Sequence, residues 1–203
     1  MRKFPFFAIV FVFTFSVLAS YASAQQADAM LGFGTLMSSS NTTASLANPT
    51  IAEKGGLYPS VSADVIFHRR VGFNFEVSWR ASQGIYGGCN GCQPYRPILY
   101  DFNAVFQPKL AKKIGADLMG GIGGQSTRFY GYIPTSNCVY FGACYTSDNH
   151  FLIHAGGGIR YYVWGHVFVR PEAHYYYIVN QNQFSSPNVF RVGASIGYTI
   201  GPD

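Results

Sequence analysis

Charged side chains are scarce in this chain. Asp, Glu, Lys and Arg make up 11% of the 203 residues, whereas Phe, Trp and Tyr make up 17%. The net charge of +5 is small, and it falls to +3 if Arg2 and Lys3 are removed with a leader, which leaves 12 basic and 9 acidic side chains. A charge of this size does not indicate a nucleic-acid partner, and none is expected. The composition is typical of a protein whose outer surface faces something other than water.

Long apolar runs are also missing, except at the start. Arg2 and Lys3 precede an apolar run over residues 4–18, and the small residues 22–24 resemble a cleavage site before Gln25. The alternative, a single transmembrane helix, is disfavoured because the run is short. No cysteine follows the run, so a lipoprotein anchor is not expected. The sequence predicts a cleaved signal peptide, 1–24, and one exported domain, 25–203.

Because no later run could form a membrane helix, a mature chain that enters a membrane has to do so as a closed barrel. Residues 71–80 (VGFNFEVSWR) alternate strictly between apolar and small or polar side chains. Ten such residues, at roughly 3.3 Å each and tilted by about 45°, would just cross a hydrocarbon layer. Similar stretches predict eight strands, and Pro171 predicts a bulge or bend in the seventh. The strands are 27–36, 60–69, 71–80, 98–107, 114–130, 151–163, 167–179 and 189–200.

The connections between these strands alternate in length. Those after the first, third, fifth and seventh strands are long, and those after the second, fourth and sixth are short. An up-and-down barrel places alternate connections at opposite ends, so one rim carries all the long loops. Short periplasmic turns and longer extracellular loops are typical of outer-membrane barrels. The predicted fold is all-β, an eight-stranded antiparallel up-and-down transmembrane β-barrel.

The chain resembles the eight-stranded outer-membrane barrel families, the OmpA-like and OmpX-like domains of the porin superfamily. The resemblance covers residues 27–200 and is carried by VGFNFEVSWR, ILYDFNAVFQ, FRVGASIGYTI and the glycine-rich IGADLMGGIGG. It departs at the end, where Gly201, Pro202 and Asp203 replace the usual terminal aromatic residue. The resemblance implies a bacterial outer-membrane location, contact with outer-membrane lipid and lipopolysaccharide, and a monomer. It implies no cofactor and no metal.

Alternation also predicts which charged side chains face the lumen. A narrow lumen desolvates charges partly, so near-balanced ion pairs are expected there. We interpret this set as a network that plugs the barrel, the alternative being a small polar pore or a proton-responsive network. The predicted lumen set is Asp64, His68, Glu76, Arg80, Asp101, Asp117, His154, Arg160, Arg170, Glu172, His174 and Arg191.

An enzyme on the same barrel is a second hypothesis. Some eight-stranded outer-membrane barrels are lipid A deacylases or palmitoyltransferases, which need an activated hydroxyl beside a base. Here His154, His174 and Ser195 are the candidates, but the deacylase spacing of His and Ser two apart is missing, since Tyr176 follows His174. A secreted, soluble lipocalin-type barrel is the third hypothesis. We expect a non-enzymatic barrel with a structural role, or a surface-interaction role through four long extracellular loops and an extracellular partner.

All four cysteines fall in predicted extracellular loops, Cys89 and Cys92 in one and Cys138 and Cys144 in another. Exported loops are oxidising surroundings, so two disulfides are predicted. Four cysteines allow three connectivities; closeness in sequence favours Cys89–Cys92 with Cys138–Cys144, and a staple between the loops is an alternative. A redox-active CxxC or a zinc site is a further alternative.

Overall fold

The computed structural model of the chain describes residues 26–40, 51–67, 70–86, 93–131 and 145–201. The predicted signal peptide, His68 and all four cysteines lie outside these described residues. Leader cleavage and the two disulfides therefore stay predictions. None of the described residues belongs to a helix long and apolar enough to cross a membrane.

Ten strands make up most of the described chain, eight of them long and two of only three residues each. The two short strands, β4 and β6, were not predicted. In chain order the strands are β1 (Gln26–Ser38), β2 (Tyr58–Ile66), β3 (Val71–Trp79), β4 (Gly84–Tyr86), β5 (Gln93–Phe106), β6 (Lys109–Ala111), β7 (Ile114–Tyr130), β8 (Tyr145–Trp164), β9 (Val167–Ile178) and β10 (Asn188–Ile200).

The eight long strands close into a barrel. Each pairs antiparallel with the next long strand, and β1 pairs with β10, for example at Leu31↔Ile196. The short strand β4 extends the sheet beside β5, and β6 pairs with the start of β7. Closure leaves no long strand with an unpaired edge, as a membrane-spanning sheet requires. The predicted eight-stranded antiparallel barrel is confirmed.

Alternation along the strands separates a lipid-facing exterior from a polar lumen. In β3, Phe73 and Phe75 are 49% and 50% exposed, whereas Asn74 and Glu76 are each 1% exposed. The other long strands likewise expose Leu, Ile, Val, Phe and Tyr. A continuous belt of this kind is unfavourable in water and favourable in hydrocarbon. The barrel is therefore built to span a membrane.

The connections define the two ends of the barrel. The short turns at 67–70, 107–113 and 165–166 join β2–β3, β5–β7 and β8–β9 at one end. We call this the periplasmic end, following the arrangement of outer-membrane barrels, and the opposite end the extracellular end.

Two strands reach further towards the extracellular end than their sequences predict. β8 begins at Tyr145 rather than 151, and β5 begins at Gln93 rather than 98. Most side chains of the added part of β8, YTSDNH, are exposed on both faces. Because both faces of this extension meet water, its sequence lacks the alternation that marks a membrane strand.

The bulge predicted at Pro171 is absent. The register of β9 with β10 is unbroken through Ala194↔Pro171. On the other side, the β8–β9 ladder is interrupted between Gly158↔Glu172 and Tyr161↔Val169 without a change in register. Two pairs are missing there, Ile159 with Pro171 and Arg160 with Arg170, and the first includes the proline, which has no N–H to donate. The register shift in this pair of strands lies further on, between Tyr162 and Trp164.

Two glycines of β7 allow β5 to approach closely. A Cβ atom on Gly121 would collide with the carbonyl oxygen of Phe102, and one on Gly123 with that of Tyr100. Both residues sit opposite β5 in the ladder. The glycine-rich sequence of β7 is therefore required by packing at this seam.

Candidate functional site

The lumen is the candidate site, and its periplasmic half is built around Arg160 of β8. The guanidinium contacts Asp28 of β1 and Asp64 of β2, each at 2.5 Å, and Asp117 of β7 at 2.7 Å. All four side chains are buried, and the plane of Arg160 lies over the ring of Phe168 at 4.4 Å. One arginine therefore links four strands through charge-assisted hydrogen bonds.

A second arginine joins this group to the middle of the barrel. Arg170 of β9 contacts Asp117 at 2.8 Å and Glu172 at 2.7 Å, and its Nε donates to the hydroxyl of Ser195 at 3.2 Å. Ser195 in turn donates to Glu172 at 3.0 Å. The hydroxyl considered as a nucleophile is thus hydrogen-bonded to a carboxylate and an arginine rather than to a histidine.

A third arginine completes the middle of the lumen. Arg191 of β10 pairs with Glu76 of β3 and contacts Glu172 at 3.2 Å. Ligand atoms of Glu76, Glu172 and His174 lie within 4.8 Å of one another, a spacing that would suit a metal ion. Because the Arg191 guanidinium already contacts both carboxylates, a cation of its own occupies that position, and the donor set does not fit a metal.

A chain of hydrogen bonds runs from the middle of the lumen towards the periplasmic end. His174 Nδ1 lies 3.0 Å from His154 Nε2, and His154 Nδ1 lies 2.6 Å from the side-chain oxygen of Asn103. Asn103 donates to Asn74 at 2.8 Å, and Asn74 donates to Asp64 at 2.6 Å. The amides therefore connect the histidine pair to the carboxylates around Arg160.

The same contacts fix where the histidine protons lie. Asn103 also donates to the Asp101 carboxylate at 2.5 Å, so its amide oxygen faces His154 as an acceptor. His154 must then donate from Nδ1 and accept at Nε2, which makes His174 Nδ1 a donor. The two rings are stacked at 5.1 Å between centroids. His174 Nε2 lies 3.5 Å from the Glu172 carboxylate.

Above the charged middle, the lumen turns apolar. Seven side chains from six strands, each at most 1% exposed, form one cluster that we call the apolar layer. It includes the rings of Tyr58 and Tyr176, and the buried hydroxyl of Tyr176 has no hydrogen-bond partner among the described residues. The members of the apolar layer are Leu36, Tyr58, Leu99, Leu152, Tyr176, Ile178 and Val189.

Two connections fold over the extracellular end. Ile51 forms an isolated β-bridge with Phe184, and Ser185 donates its N–H to the carbonyl of Ile51 at 3.0 Å. Phe184 packs against the rings of Tyr95 and Tyr86, at 5.2 and 5.7 Å between centroids. The described parts of the first and last long connections therefore meet above the lumen.

Glu53 anchors the first of these connections. Its carboxylate is fully buried and accepts from the Gln125 side chain at 2.7 Å, and Arg80 lies near enough to interact with it electrostatically. Burial raises the pKa of Glu53 from 4.5 to about 7, against the lowering effects of the Gln125 hydrogen bond and the Arg80 charge. Protonation of Glu53 therefore falls near neutral pH.

The structure brings most of the predicted lumen residues together and separates one. Asp64, Asp117, Arg160, Arg170 and Glu172 join one network, and Glu76, Asp101, His154, His174 and Arg191 adjoin it. Arg80 lies apart at the extracellular rim, where its Nη1 donates to the Tyr95 hydroxyl at 2.9 Å. His68 lies outside the described residues.

The described lumen holds more carboxyl groups than arginines. Asp28, which alternation also places inward between Ala27 and Ala29, belongs to the Arg160 group, and Arg80 does not. The buried charged groups of the lumen are therefore six carboxylates and three arginines among the described residues: Asp28, Asp64, Glu76, Asp101, Asp117, Glu172, Arg160, Arg170 and Arg191. The amides of Asn74 and Asn103 offset part of this excess by donating to carboxylates.

Glu53 was missed, whereas Gln125 lies on the inward face that alternation predicts. Nothing in a loop sequence such as that around Glu53 shows that a carboxylate is buried.

A closed barrel of eight long antiparallel strands, with a lipid-facing belt outside and a polar, ion-paired lumen, defines an outer-membrane β-barrel. This fold and belt place the chain in the bacterial outer membrane.

Solved structures of other barrels are similar to it, among them the following three. Neisserial surface protein A aligns with a TM-score of 0.60 at 13% identity, over 87% of this chain and 97% of its own. Ail, the attachment invasion locus protein of Yersinia pestis, aligns at 0.56 and 9%, over 87% and 99%. The N-terminal barrel domain of Pseudomonas aeruginosa OprF aligns at 0.53 and 10%, over 86% and 97%. At such identities the likeness shows the fold. No protein-family model and no curated protein sequence matches the chain.

Proposed function

We propose that this chain is a small non-enzymatic outer-membrane barrel whose role is carried by its outer surface and extracellular loops. The observation that supports this most directly is the apolar layer, seven buried side chains from six strands, with the Ile51–Phe184 contact above it. A solute crossing the barrel would have to pass side chains that are at most 1% exposed. Conduction is therefore a weaker proposal than a structural or surface-interaction role.

The arrangement of the histidines supports a non-enzymatic role. Lipid-modifying chemistry needs an activated hydroxyl that reaches the bilayer. His154 and His174 are 2% and 1% exposed and face each other inside the lumen, while Ser195 is hydrogen-bonded to Glu172. A change in lipid A acyl pattern on expression, abolished by His174→Ala, would contradict this proposal; mass analysis of extracted lipid A measures it.

Two arginines on the outer face support lipopolysaccharide as a partner. Arg96 of β5 and Arg128 of β7 are direct cross-strand neighbours, on the same face as the lipid-facing Tyr100 and Ile122 but beyond them at the extracellular end. Arg96 donates to the carbonyl of Ala81, and Arg128 lies over the ring of Tyr145 at 4.8 Å. Neither pairs with a carboxylate among the described residues, and like charges directly opposite repel. Phosphate groups of the outer leaflet would relieve that repulsion.

A conductance measurement and a binding measurement test the proposal. In planar bilayers the purified chain should show no steady conductance steps, and such steps would contradict closure. The barrel is extracted from vesicles that contain lipopolysaccharide, and the lipopolysaccharide that copurifies with it is measured. The variant Arg96→Gln/Arg128→Gln should retain much less of it than the unchanged chain. The matched control Lys112→Gln/Lys113→Gln, which removes two charges at the opposite end, should retain it. Equal retention by both variants would remove Arg96 and Arg128 from the proposed surface.

A sulfated polysaccharide is a suitable probe for the loops themselves. A solved structure of the Yersinia pestis protein Ail, similar to this chain with a TM-score of 0.54 at 11% identity, is a complex with the heparin analogue sucrose octasulfate. Binding of that compound to whole cells that display this chain, compared with cells that lack it, tests whether the loops here recognise polyanions.

A further inference from the structure

A cavity of about 690 Å³ opens at the periplasmic end of the barrel. Its walls come from all three short turns, from β6 and from the adjacent ends of β1, β2, β7, β8 and β10. Arg160 and Gln107 line its inner part. The proposed surface role leaves this cavity unused, because that role belongs to the opposite rim.

The mouth of the cavity is strongly basic. Arg70, Lys109, Lys112 and Lys113 all line it, and all four are exposed. None of them forms an ion pair with a described residue, and none of the described lining residues is an Asp or Glu. The turn sequences 67–70 and 107–113 contain no acidic residue either. Four like charges around one opening attract an anionic ligand.

Charges deeper in the barrel set where such a ligand stops. Arg160, at the inner wall, already contacts three carboxylates, those of Asp28, Asp64 and Asp117. An anion that moved further into the barrel would approach the carboxylates of Asp28 and Asp64, which repel it, and Arg160 is already paired with them. The anionic group of the ligand is therefore most stable among the lysines, at the level of the turns.

The surroundings of the mouth are those of a lipid rather than a soluble ion. Trp164 is 83% exposed, Leu110 is 60% exposed and Val163 is 54% exposed. Leu110 lies between Lys109 and the other two lysines, and Val163 and Trp164 end the neighbouring strand β8. Exposed Trp beside basic side chains is typical of the membrane–water interface. A molecule bound here would meet cations at its head and apolar side chains along its tail.

We propose that the periplasmic mouth binds the phosphate of an anionic phospholipid from the periplasmic leaflet. The phosphate lies among Lys109, Lys112, Lys113 and Arg70, and the acyl chains run along the exterior past Leu110 and Trp164. This binding gives the periplasmic end a lipid preference that is independent of any outer-leaflet partner.

The two tryptophans of the chain allow the proposal to be tested at each end separately. Trp164 lies at the periplasmic end and Trp79 near the extracellular end of β3. In the variant Trp79→Phe only Trp164 emits, and in Trp164→Phe only Trp79 does. Each variant of the mature chain is refolded into phosphatidylcholine vesicles with a minor share of phosphatidylglycerol, and the brominated form of one lipid or the other quenches the fluorescence. The ratio of the two quenching efficiencies measures local enrichment of the anionic lipid.

We expect phosphatidylglycerol to be enriched roughly threefold or more around Trp164, because each basic side chain near an anionic surface adds to the attraction. The triple change Lys109→Gln/Lys112→Gln/Lys113→Gln should abolish that enrichment and leave the ratio at Trp79 unchanged. The matched triple change Lys54→Gln/Arg96→Gln/Arg128→Gln, with the same loss of charge at the other end, should leave the ratio at Trp164 unchanged. Because all six side chains are at the surface, folding is checked by the heat-dependent gel shift of each variant.

Two results would overturn the proposal. One is that phosphatidylglycerol is not enriched around Trp164, or that its enrichment persists when the three lysines are replaced. The other is displacement of the brominated lipid by millimolar inorganic phosphate, which would show that the mouth recognises free phosphate rather than a lipid. Failure of the lipopolysaccharide experiment at Arg96 and Arg128 would leave this result untouched, since the two sites lie at opposite ends.

Discussion

The two halves of the lumen are filled by different means. In the periplasmic half, Arg160 contacts carboxylates of three other strands, at 2.5 to 2.7 Å. In the extracellular half, the apolar layer and the loop residue Phe184 fill the same lumen without a single ion pair among their members. Charges in a narrow lumen must be paired because each has lost most of its water, whereas apolar side chains need only to fit.

This difference changes how each half responds to damage. Removal of one partner from a buried ion-pair group leaves the others unpaired, so the cost is concentrated in single residues. Removal of atoms from a packed apolar layer leaves a void that its neighbours close only in part, so the cost is spread over many residues. Single substitutions of each type therefore test whether the two halves differ in this way.

The largest effect is expected from Arg160→Met. The substitution leaves the carboxylates of Asp28, Asp64 and Asp117 buried without their shared cation, which should lower the free energy of unfolding by about 3–5 kcal/mol. Urea unfolding of the barrel in lipid vesicles, followed by tryptophan fluorescence, measures the change. Arg70→Met, at an exposed arginine with no partner among the described residues, is the control and should cost less than about 1 kcal/mol, as exposed charges do. Equal costs at the two sites would show that the periplasmic half does not depend on its ion pairs.

A smaller effect is expected from Leu152→Ala in the apolar layer. Leu152 is fully buried in the lumen. Its truncation should lower the free energy of unfolding by about 2–5 kcal/mol, because the transfer free energy of the removed atoms is lost and a cavity remains. The next residue along β8, Ile153, is 49% exposed on the lipid face. Ile153→Ala loses transfer energy but leaves no cavity, because lipid fills the space. The same urea unfolding measures both variants, and a larger cost for Ile153→Ala would mean that the apolar layer is loosely packed.

Glu53 should make the extracellular closure depend on pH. The pKa of Glu53 rises from 4.5 to about 7 when its loop is docked, so the docked form binds the proton more tightly than the undocked form. Docking is therefore strongest below pH 4.5 and weakens as pH rises to about 7, by at most about 3 kcal/mol at 1.36 kcal/mol per pKa unit. The protection factors of the amides of residues 51–57, in which the exchange rates are corrected for their intrinsic pH dependence, should fall over this range. Glu53→Gln should make these protection factors independent of pH, and Lys54→Gln should keep the fall; a fall that persists in Glu53→Gln would assign the effect to another group.

The two halves also differ in how far their residues can be predicted from sequence. The ion-paired half lies on strands, where strict alternation alone puts Asp64, Asp117, Arg160 and Glu172 on the inward face. Alternation does not say how far along the barrel a side chain lies. Arg80 and Arg191 therefore look equivalent in sequence, although Arg80 is at the rim and Arg191 is in the middle.

The buried residues of the apolar half cannot be predicted from the sequence, for a different reason. Leu99 and Leu152 face inward in strands whose outer faces are apolar as well, so they weaken the alternation instead of marking a layer. Tyr58 precedes the predicted second strand, and Glu53 and Phe184 lie in connections, where no periodicity says which side chains are buried. Only the closure of the barrel, which brings residues from six strands to one level, creates the layer.

The smallest effect is expected at the boundary between the two halves. Tyr176 belongs to the apolar layer, yet its ring stacks on His154 at 4.9 Å between centroids, and its hydroxyl is fully buried without a hydrogen-bond partner among the described residues. A buried hydroxyl without a partner costs free energy, so Tyr176→Phe should leave the barrel unchanged or raise its free energy of unfolding by about 1 kcal/mol. The neighbouring Tyr175 provides the contrast, because its hydroxyl donates to Asn188 at 2.6 Å and Tyr175→Phe should lower stability by a similar amount. A loss of stability in Tyr176→Phe would mean that the hydroxyl is satisfied by ordered water, and the polar half of the lumen would then reach into the apolar layer.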